Sequence, residues 1–184
     1  MNDKIIINKY ASAAAAAFPE IELQNALDDL EILKNVFNDN QKLIHLLQSH
    51  LISKTQKNEI IDNIVRDLSQ KSVWHNLFLL LISNSRFIKI LQIISATQKF
   101  ILAKHGKILV SLKFAQQQDE ETISEILEYL KKVLHKNIVA EIEYDKSIIG
   151  GFLAETEDMV IDGSIQNNLN RFIQASCKKS NGRG

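Results

Sequence analysis

The sequence predicts a mainly α-helical protein, an N-terminal six-helix bundle followed by a small α/β domain. Two observations carry this expectation. Breakers are scarce, with one proline (Pro19) and six glycines in 184 residues, which favours helices over many short strands. Apolar residues also recur at helical spacing through the first hundred positions, then alternate strictly after His105-Gly106, and that change of period separates helix from strand. The chain accordingly divides into a helical bundle at 1–105, an α/β domain at 106–177 and a disordered tail at 178–184.

The elements follow in order. Asp3 caps a first helix running to about Phe18, and Pro19-Glu20 ends it and starts the next. The second helix carries Ala26, Leu30, Leu33 and Phe37 on its inner face, and Asn38-Asp39-Asn40 is a turn. A short third helix holds Leu43, Ile44, Leu47 and Leu51, and Ser53 caps a fourth. Ser72 caps a fifth, apolar nearly all round through Trp74, Leu77, Phe78, Leu79, Leu80 and Leu81; such a helix is buried on most sides. After Ser83-Asn84-Ser85, a long sixth helix presents Phe87, Ile90, Leu91 and Ile94 inward.

Beyond Gly106, Ile108, Val110, Leu112 and Phe114 alternate as a strand. Asp119-Glu120-Glu121 opens a helix closed by Lys131, Lys132 and His135, charges placed to suit its dipole. A second strand covers Ile138 to Tyr144, Gly150-Gly151 bends the chain into Phe152-Leu153-Ala154, and Glu157-Asp158 turns it back into Met159-Val160-Ile161. Asp162 or Ser164 caps a last helix with Ile165, Leu169, Phe172 and Ile173 on one face.

Composition excludes several function classes. The 22 basic and 22 acidic residues cancel, so the footprint of a general nucleic-acid binder is missing. Locally the balance is uneven: residues 51–104 hold 8 basic against 3 acidic side chains, and residues 141–162 hold 7 acids against Lys146 alone. Patches of opposite sign suit docking to charged partners, or are simply solvated faces. Cys177 is the single cysteine, which rules out an intrachain disulfide and a cysteine-rich zinc site. The longest strongly apolar run, Leu77 to Ile82, falls far short of the ~20 residues that span a bilayer. The N-terminus lacks the apolar core of a secretory signal, so the expectation is a soluble bacterial protein that reaches a membrane only through a partner.

No pattern of chemistry emerges. His45, His50, His75, His105 and His135 stand singly, and an i, i+5 pair does not share a helix face. Gly150-Gly151 lacks the Lys-Ser/Thr of a phosphate loop. Ser164 lacks the frame of a nucleophile elbow and reads as a helix cap. Glu155, Glu157, Asp158 and Asp162 do not match a calcium loop, and Cys177 has no activating helix N-terminus. The expectation is a protein with no active site, cofactor or metal.

What stands out is surface for binding. The first helix carries Ala11, Ala13, Ala14, Ala15, Ala16 and Ala17, so it buries little area but lets another helix come close to its backbone. The approaching helix belongs to the same bundle, or to a partner lodged in a shallow groove beside the fifth helix; both can hold.

Together these features resemble the delta subunit of F-type ATP synthases, the oligomycin-sensitivity-conferring protein family. The resemblance rests on Ile148-Ile149-Gly150-Gly151-Phe152 followed by Val160-Ile161-Asp162-Gly163-Ser164-Ile165, on Asn84-Ser85-Arg86-Phe87, and more weakly on Tyr10-Ala11-Ser12-Ala13. It implies a stator connector without catalysis on the cytoplasmic face of the bacterial inner membrane. By that likeness the bundle holds the N-terminal helix of an alpha subunit through Tyr10, Ala13, Ala14, Leu77, Phe78 and Leu81, and the C-terminal domain meets the C-terminus of the stalk b subunit. Gly150, Gly151, Asp162, Gly163 and Ser164 are implied to be structural. One departure stands in the first helix, where the family usually has bulky leucine and phenylalanine and this chain has Ala14 and Ala15. The alternative is a helical adaptor or regulatory protein unrelated to ATP synthase.

Overall fold

A computed structural model describes residues 3–18 and 23–164. These residues are mostly helical and carry one small four-stranded sheet. The chain divides into two compact units between Lys104 and His105.

The first unit contains α1 (Asp3–Ala17), α2 (Leu23–Asp39), α3 (Gln41–Gln48), α4 (Lys54–Val65), α5 (Lys71–Ser83) and, after a 3-10 turn at Phe87–Lys89, α6 (Ile90–Lys104). Its core is aromatic at the centre. The rings of Phe37, Phe78 and Phe87 meet edge to face, with centroids 5.6 to 5.8 Å apart, the geometry that ring quadrupoles prefer. Trp74 adds a fourth buried ring and reaches Phe18 at 5.4 Å.

Helix boundaries follow local hydrogen bonding. Ser53 and Gln56 form the reciprocal box that starts α4: the Ser53 hydroxyl accepts from the Gln56 N–H at 3.2 Å, and Gln56 Oε1 accepts from the Ser53 N–H at 3.0 Å. The Asn84-Ser85-Arg86-Phe87 stretch is a Schellman stop. Ser85 takes a left-handed φ of 55°, while the N–H groups of Ser85 and Arg86 donate to the carbonyls of Ile82 and Leu81. Phe87 is thereby turned straight into the core.

Three boundaries differ from expectation. α2 continues through Asn38 and Asp39, leaving only Asn40 in the turn, where its side-chain amide donates back to the Val36 carbonyl at 3.1 Å. α3 stops at Gln48 rather than Leu51, because the Ser49 hydroxyl captures the Leu51 N–H at 3.0 Å and competes with the helix. Leu51 is left 94% exposed. Ser72 lies inside the first turn of α5 and does not cap it; the Asp29 carboxylate supplies acceptors just ahead of that turn.

The second unit begins after Gly106, whose φ of 65° turns the chain out of α6. It comprises β1 (Lys107–Phe114), α7 (Glu120–Leu134), β2 (Asn137–Tyr144), β3 (Phe152–Glu155) and β4 (Val160–Asp162), in sheet order β2-β1-β3-β4. β1 and β2 run parallel with Ile108 opposite Ile138, a pairing that needs a crossover, here α7. β3 returns antiparallel to β1 and turns through Glu157-Asp158 into β4, the Thr156 N–H donating to the Met159 carbonyl at 2.9 Å. Val110, Leu112, Phe114 and Ala154 of the sheet and Leu130 of α7 make a small separate core. Asp119 caps α7 by accepting from the Thr122 N–H at 2.7 Å. The last helix expected from the sequence, and Cys177, lie outside the described residues.

Phe87 is fully buried among aromatic neighbours. Phe87→Ala is expected to cost about 3–5 kcal/mol, read from denaturant midpoints. A loss below about 1 kcal/mol would show that the ring cluster does not hold the helical unit together.

Candidate functional site

The alanines of α1 divide into two faces. Ala11, Ala14 and Ala15 are buried, while Ala13, Ala16 and Ala17 are exposed. The buried face lets α6 approach closely, and the Lys104 ammonium donates to the Ala15 carbonyl at 3.0 Å. The exposed side borders a groove against α5, with a volume of about 260 Å³. Ala13, Ala14 and Ala17 form one wall; Ser72, Val73, Asn76, Leu77 and Leu80 form the other. Leu80 is 49% exposed at its rim.

Of the six residues expected at a docking surface, Ala13, Ala14 and Leu77 line this groove. Phe78 and Leu81 do not: both are 0% exposed and belong to the core behind it. Tyr10 is half-buried beside the core, where its hydroxyl accepts a hydrogen bond from Arg86 Nη1 at 3.2 Å and its ring lies 5.7 Å from the guanidinium carbon. That contact joins two stretches far apart in sequence and seats α1 against the α5–α6 turn. Lys89 adds a second tie to Asp3 at 2.6 Å and holds the Asp3 carboxyl below its ordinary pKa. Val73, Asn76, Leu80, Ser72 and Ala17 line the groove but were not among the six contacts expected from the resemblance. The available signal was the i, i+3 spacing of Leu77 and Leu80 beside a polar Asn76.

The glycine motif of the second unit is a close backbone crossing. Gly150 and Gly151 take φ values of 73° and 80°, the region glycine occupies without strain. A methyl group on Gly151 would collide with the Gly163 carbonyl oxygen, and one on Gly163 would sit 2.6 Å from Phe152 Cε1. The Gly163 N–H donates to the Phe152 carbonyl at 2.9 Å, closing the crossing. Asp162 accepts from the Ser164 N–H at 2.9 Å, and the Ser164 side chain first, with this backbone bond, holds the Asp162 carboxyl below its ordinary pKa. The motif therefore ties the β3–β4 pair together at the end of its hairpin. Among the described residues no three metal-ligating side chains converge, and no helix is long and apolar enough to cross a membrane.

A helical unit with an apolar inter-helix groove, followed along the chain by a small mixed sheet, defines a two-unit α and α/β class of protein. Its relatives say which kind. The ATP synthase delta (OSCP) subunit family matches residues 6–175. An ATP synthase subunit delta from Chlorobium limicola is 28% identical over 171 residues, covering 92% of this chain and 93% of its own length. One from Mycoplasmoides gallisepticum is 29% identical over 143 residues, 77% of this chain and 78% of its own. The fold is similar to a chain in the cryo-EM structure of the Toxoplasma gondii mitochondrial ATP synthase hexamer, with a TM-score of 0.71 at 20% identity over 93% of this chain and 97% of that one. The chain belongs to the ATP synthase delta (OSCP) subunit family. It is a structural subunit of the peripheral stalk, linking the catalytic head to the membrane sector, and not a catalytic one. The alternative of an unrelated adaptor finds no support among these relatives.

Two predictions follow from this geometry. Gly151→Val is expected to unfold the second unit selectively, with loss of its sheet signals in nuclear magnetic resonance spectra; an unchanged sheet would show the crossing is dispensable. Asp119, Asp145 and Asp162 each accept a backbone N–H and have pKa values lowered from 3.8 in the folded chain. Their contribution to stability is therefore present above 3.8 and lost as pH falls through the lower folded values. Thermal melts of the second unit should drop over that acid window, and a flat profile would reject the contribution.

Proposed function

We propose that the α1–α5 groove holds the N-terminal helix of an ATP synthase alpha subunit. The helices of residues 1–105 act in this reading as a six-helix docking bundle. The α/β domain, 106–177, takes the C-terminus of the stalk b subunit, and the whole connector lies on the cytoplasmic face of a bacterial inner membrane, attached through the complex. The single observation that supports the docking assignment is the groove itself, floored by Ala13, Ala14 and Leu77 and rimmed by the half-exposed Leu80.

The physical fit is that of helix-in-groove recognition. A partner helix lays its apolar stripe on such a floor, with anchors at i, i+3, i+4 and i+7. The alanine wall brings the partner backbone close, and the leucines of α5 supply most of the apolar area to be covered. Serine and asparagine, Ser72 and Asn76, sit on the α5 wall where a partner's flanking polar groups can bond. A stator needs such a contact because the head must not turn with the rotor; a rigid, preformed groove gives resistance that a mobile loop would not.

The test is a calorimetric titration of the full chain with a peptide from the N-terminus of its own organism's alpha subunit. Saturable one-to-one binding is expected. Leu80→Asp should weaken it at least about tenfold, since a carboxylate would be desolvated against the partner's apolar stripe. Leu51→Asp, at an exposed loop outside the groove, should not. Absence of binding by the folded wild type, or equal affinity in Leu80→Asp, would reject the assignment.

A further inference from the structure

α5 poses a packing problem that its apolar side chains do not solve. Trp74, Phe78 and Leu81 face the core, while Val73, Leu77 and Leu80 line the groove. Each set is a three-residue stripe of large apolar groups, and successive residues on a helix are separated by about 100°. A rotation of α5 by roughly that one step would bring Val73, Leu77 and Leu80 inward in place of Trp74, Phe78 and Leu81, and would turn Ser72, Asn76 and Leu79 to the groove. Burial by itself is nondirectional, and the observed seating is favoured by the ring contacts of Trp74 and Phe78 together with any directional polar contact to the helix.

A directional contact is present where the ambiguity needs one. Asp29 of α2 is 1% exposed. Its carboxylate accepts from the Ser69 N–H at 2.7 Å, the Gln70 N–H at 2.9 Å and the Trp74 indole N–H at 3.2 Å. Two of these donors lie on the backbone leading into α5, and the third is a side chain in its first turns. Held at both, the helix is fixed about its own axis. The carboxylate also lies near the positive end of the α5 dipole, where the Gln70 side chain makes no cap. A buried charge is tolerated only when it is bonded in this way, so a rotated α5, which carries the indole away, would leave Asp29 short of a partner.

We infer that Asp29 is a positioning residue for partner docking: it selects the rotation of α5 that presents Val73, Leu77 and Leu80 to the groove. This rests on the groove reading above, and the experiment separates the two. Spin labels at Ala17→Cys and Asn76→Cys, in a full chain also carrying Cys177→Ser, report the distance across the groove without any partner. With Asp29 intact a single narrow distribution is expected, and Asp29→Asn should broaden or shift it. Leu47→Ala, a core deletion on α3 chosen for comparable loss of stability, should leave it narrow. Should Asp29→Asn fail to fold, Trp74→Phe removes the indole donor while keeping an aromatic ring, and it should broaden the distribution to a smaller degree and by more than the cavity control Leu47→Ala does. In unlabelled protein, Asp29→Asn should weaken binding of the alpha-subunit peptide about tenfold, and the Leu47→Ala control should bind as the wild type does.

Unchanged distances in Asp29→Asn, or in Trp74→Phe where the former does not fold, would overturn the inference whether or not the peptide binds. The same broadening in Leu47→Ala would reduce Asp29 to a general stabiliser and overturn it equally. A folded wild type that does not bind the peptide would defeat the docking assignment, while the distances would still decide what Asp29 does to α5.

Discussion

The three N–H groups gathered on Asp29 couple most of the helical unit. With α5 seated by them, Phe78 falls between Phe37 and Phe87 and the aromatic cluster can form. The far end of the same helix then closes on Ser85 and Arg86, which aims Phe87 inward and the Arg86 guanidinium at Tyr10. Tyr10 in turn fixes α1, the other wall of the groove. The chain of dependence runs from one buried carboxylate through a rotation, a ring cluster and a helix stop to the width of a surface cleft. Cores of this density do not deform continuously, so an error at the first step would reach the last.

α1 shows what the alanines cost and what compensates. A helix of such small side chains gains little from burial, and its high intrinsic propensity does not attach it to anything. Attachment comes from Ile6, Phe18 and the close-packed alanine face, supplemented by polar contacts spread along its length: Asp3 to Lys89, Tyr10 to Arg86, and the Ala15 carbonyl to Lys104. The exposed Asp3–Lys89 pair is weak on its own, but with the two part-buried contacts it ties the helix at its start, middle and end. That arrangement leaves Ala13 and Ala17 uncovered toward α5, where bulky residues would have filled the groove from within.

Periodicity made the elements legible in the sequence because it reports one thing, which side of a segment is wet. The helical spacing of Ala26, Leu30, Leu33 and Phe37 and the alternation from Ile108 to Phe114 both became the elements expected of them. Local capping was legible where donor and acceptor are near neighbours, as at Ser53 with Gln56 and Asp119 with Thr122. It failed at Ser72 because the competing acceptor, Asp29, lies 40 residues from the Ser69 amide it binds. The rotation of α5 was illegible for a related reason. Of the residues expected to be surface, Ala13, Ala14 and Leu77 line the α1–α5 groove, whereas Phe78 and Leu81 lie in the core. A helix apolar on every side carries no amphipathic signal, so its rotation is information the sequence of that helix does not hold.

The glycine crossing and the α1–α5 groove impose opposite demands on small residues, and the difference bears on how a connector is built. At Gly151 and Gly163 the missing side chains are filled at once by the chain itself, a carbonyl oxygen in one case and the Phe152 ring in the other. Nothing is left over for a partner. At Ala13 and Ala17 the space stays open. The two units have separate cores, each closed by its own contacts, so a partner of one need not disturb the packing of the other. A protein that joins a head to a stalk through two such units gains by effective concentration: once one is engaged, the second binding becomes intramolecular. Holding against torque then depends less on extreme affinity at either end than on neither surface rearranging under load, and in the proposed docking arrangement a groove whose helix rotation is set by Asp29 would meet that requirement.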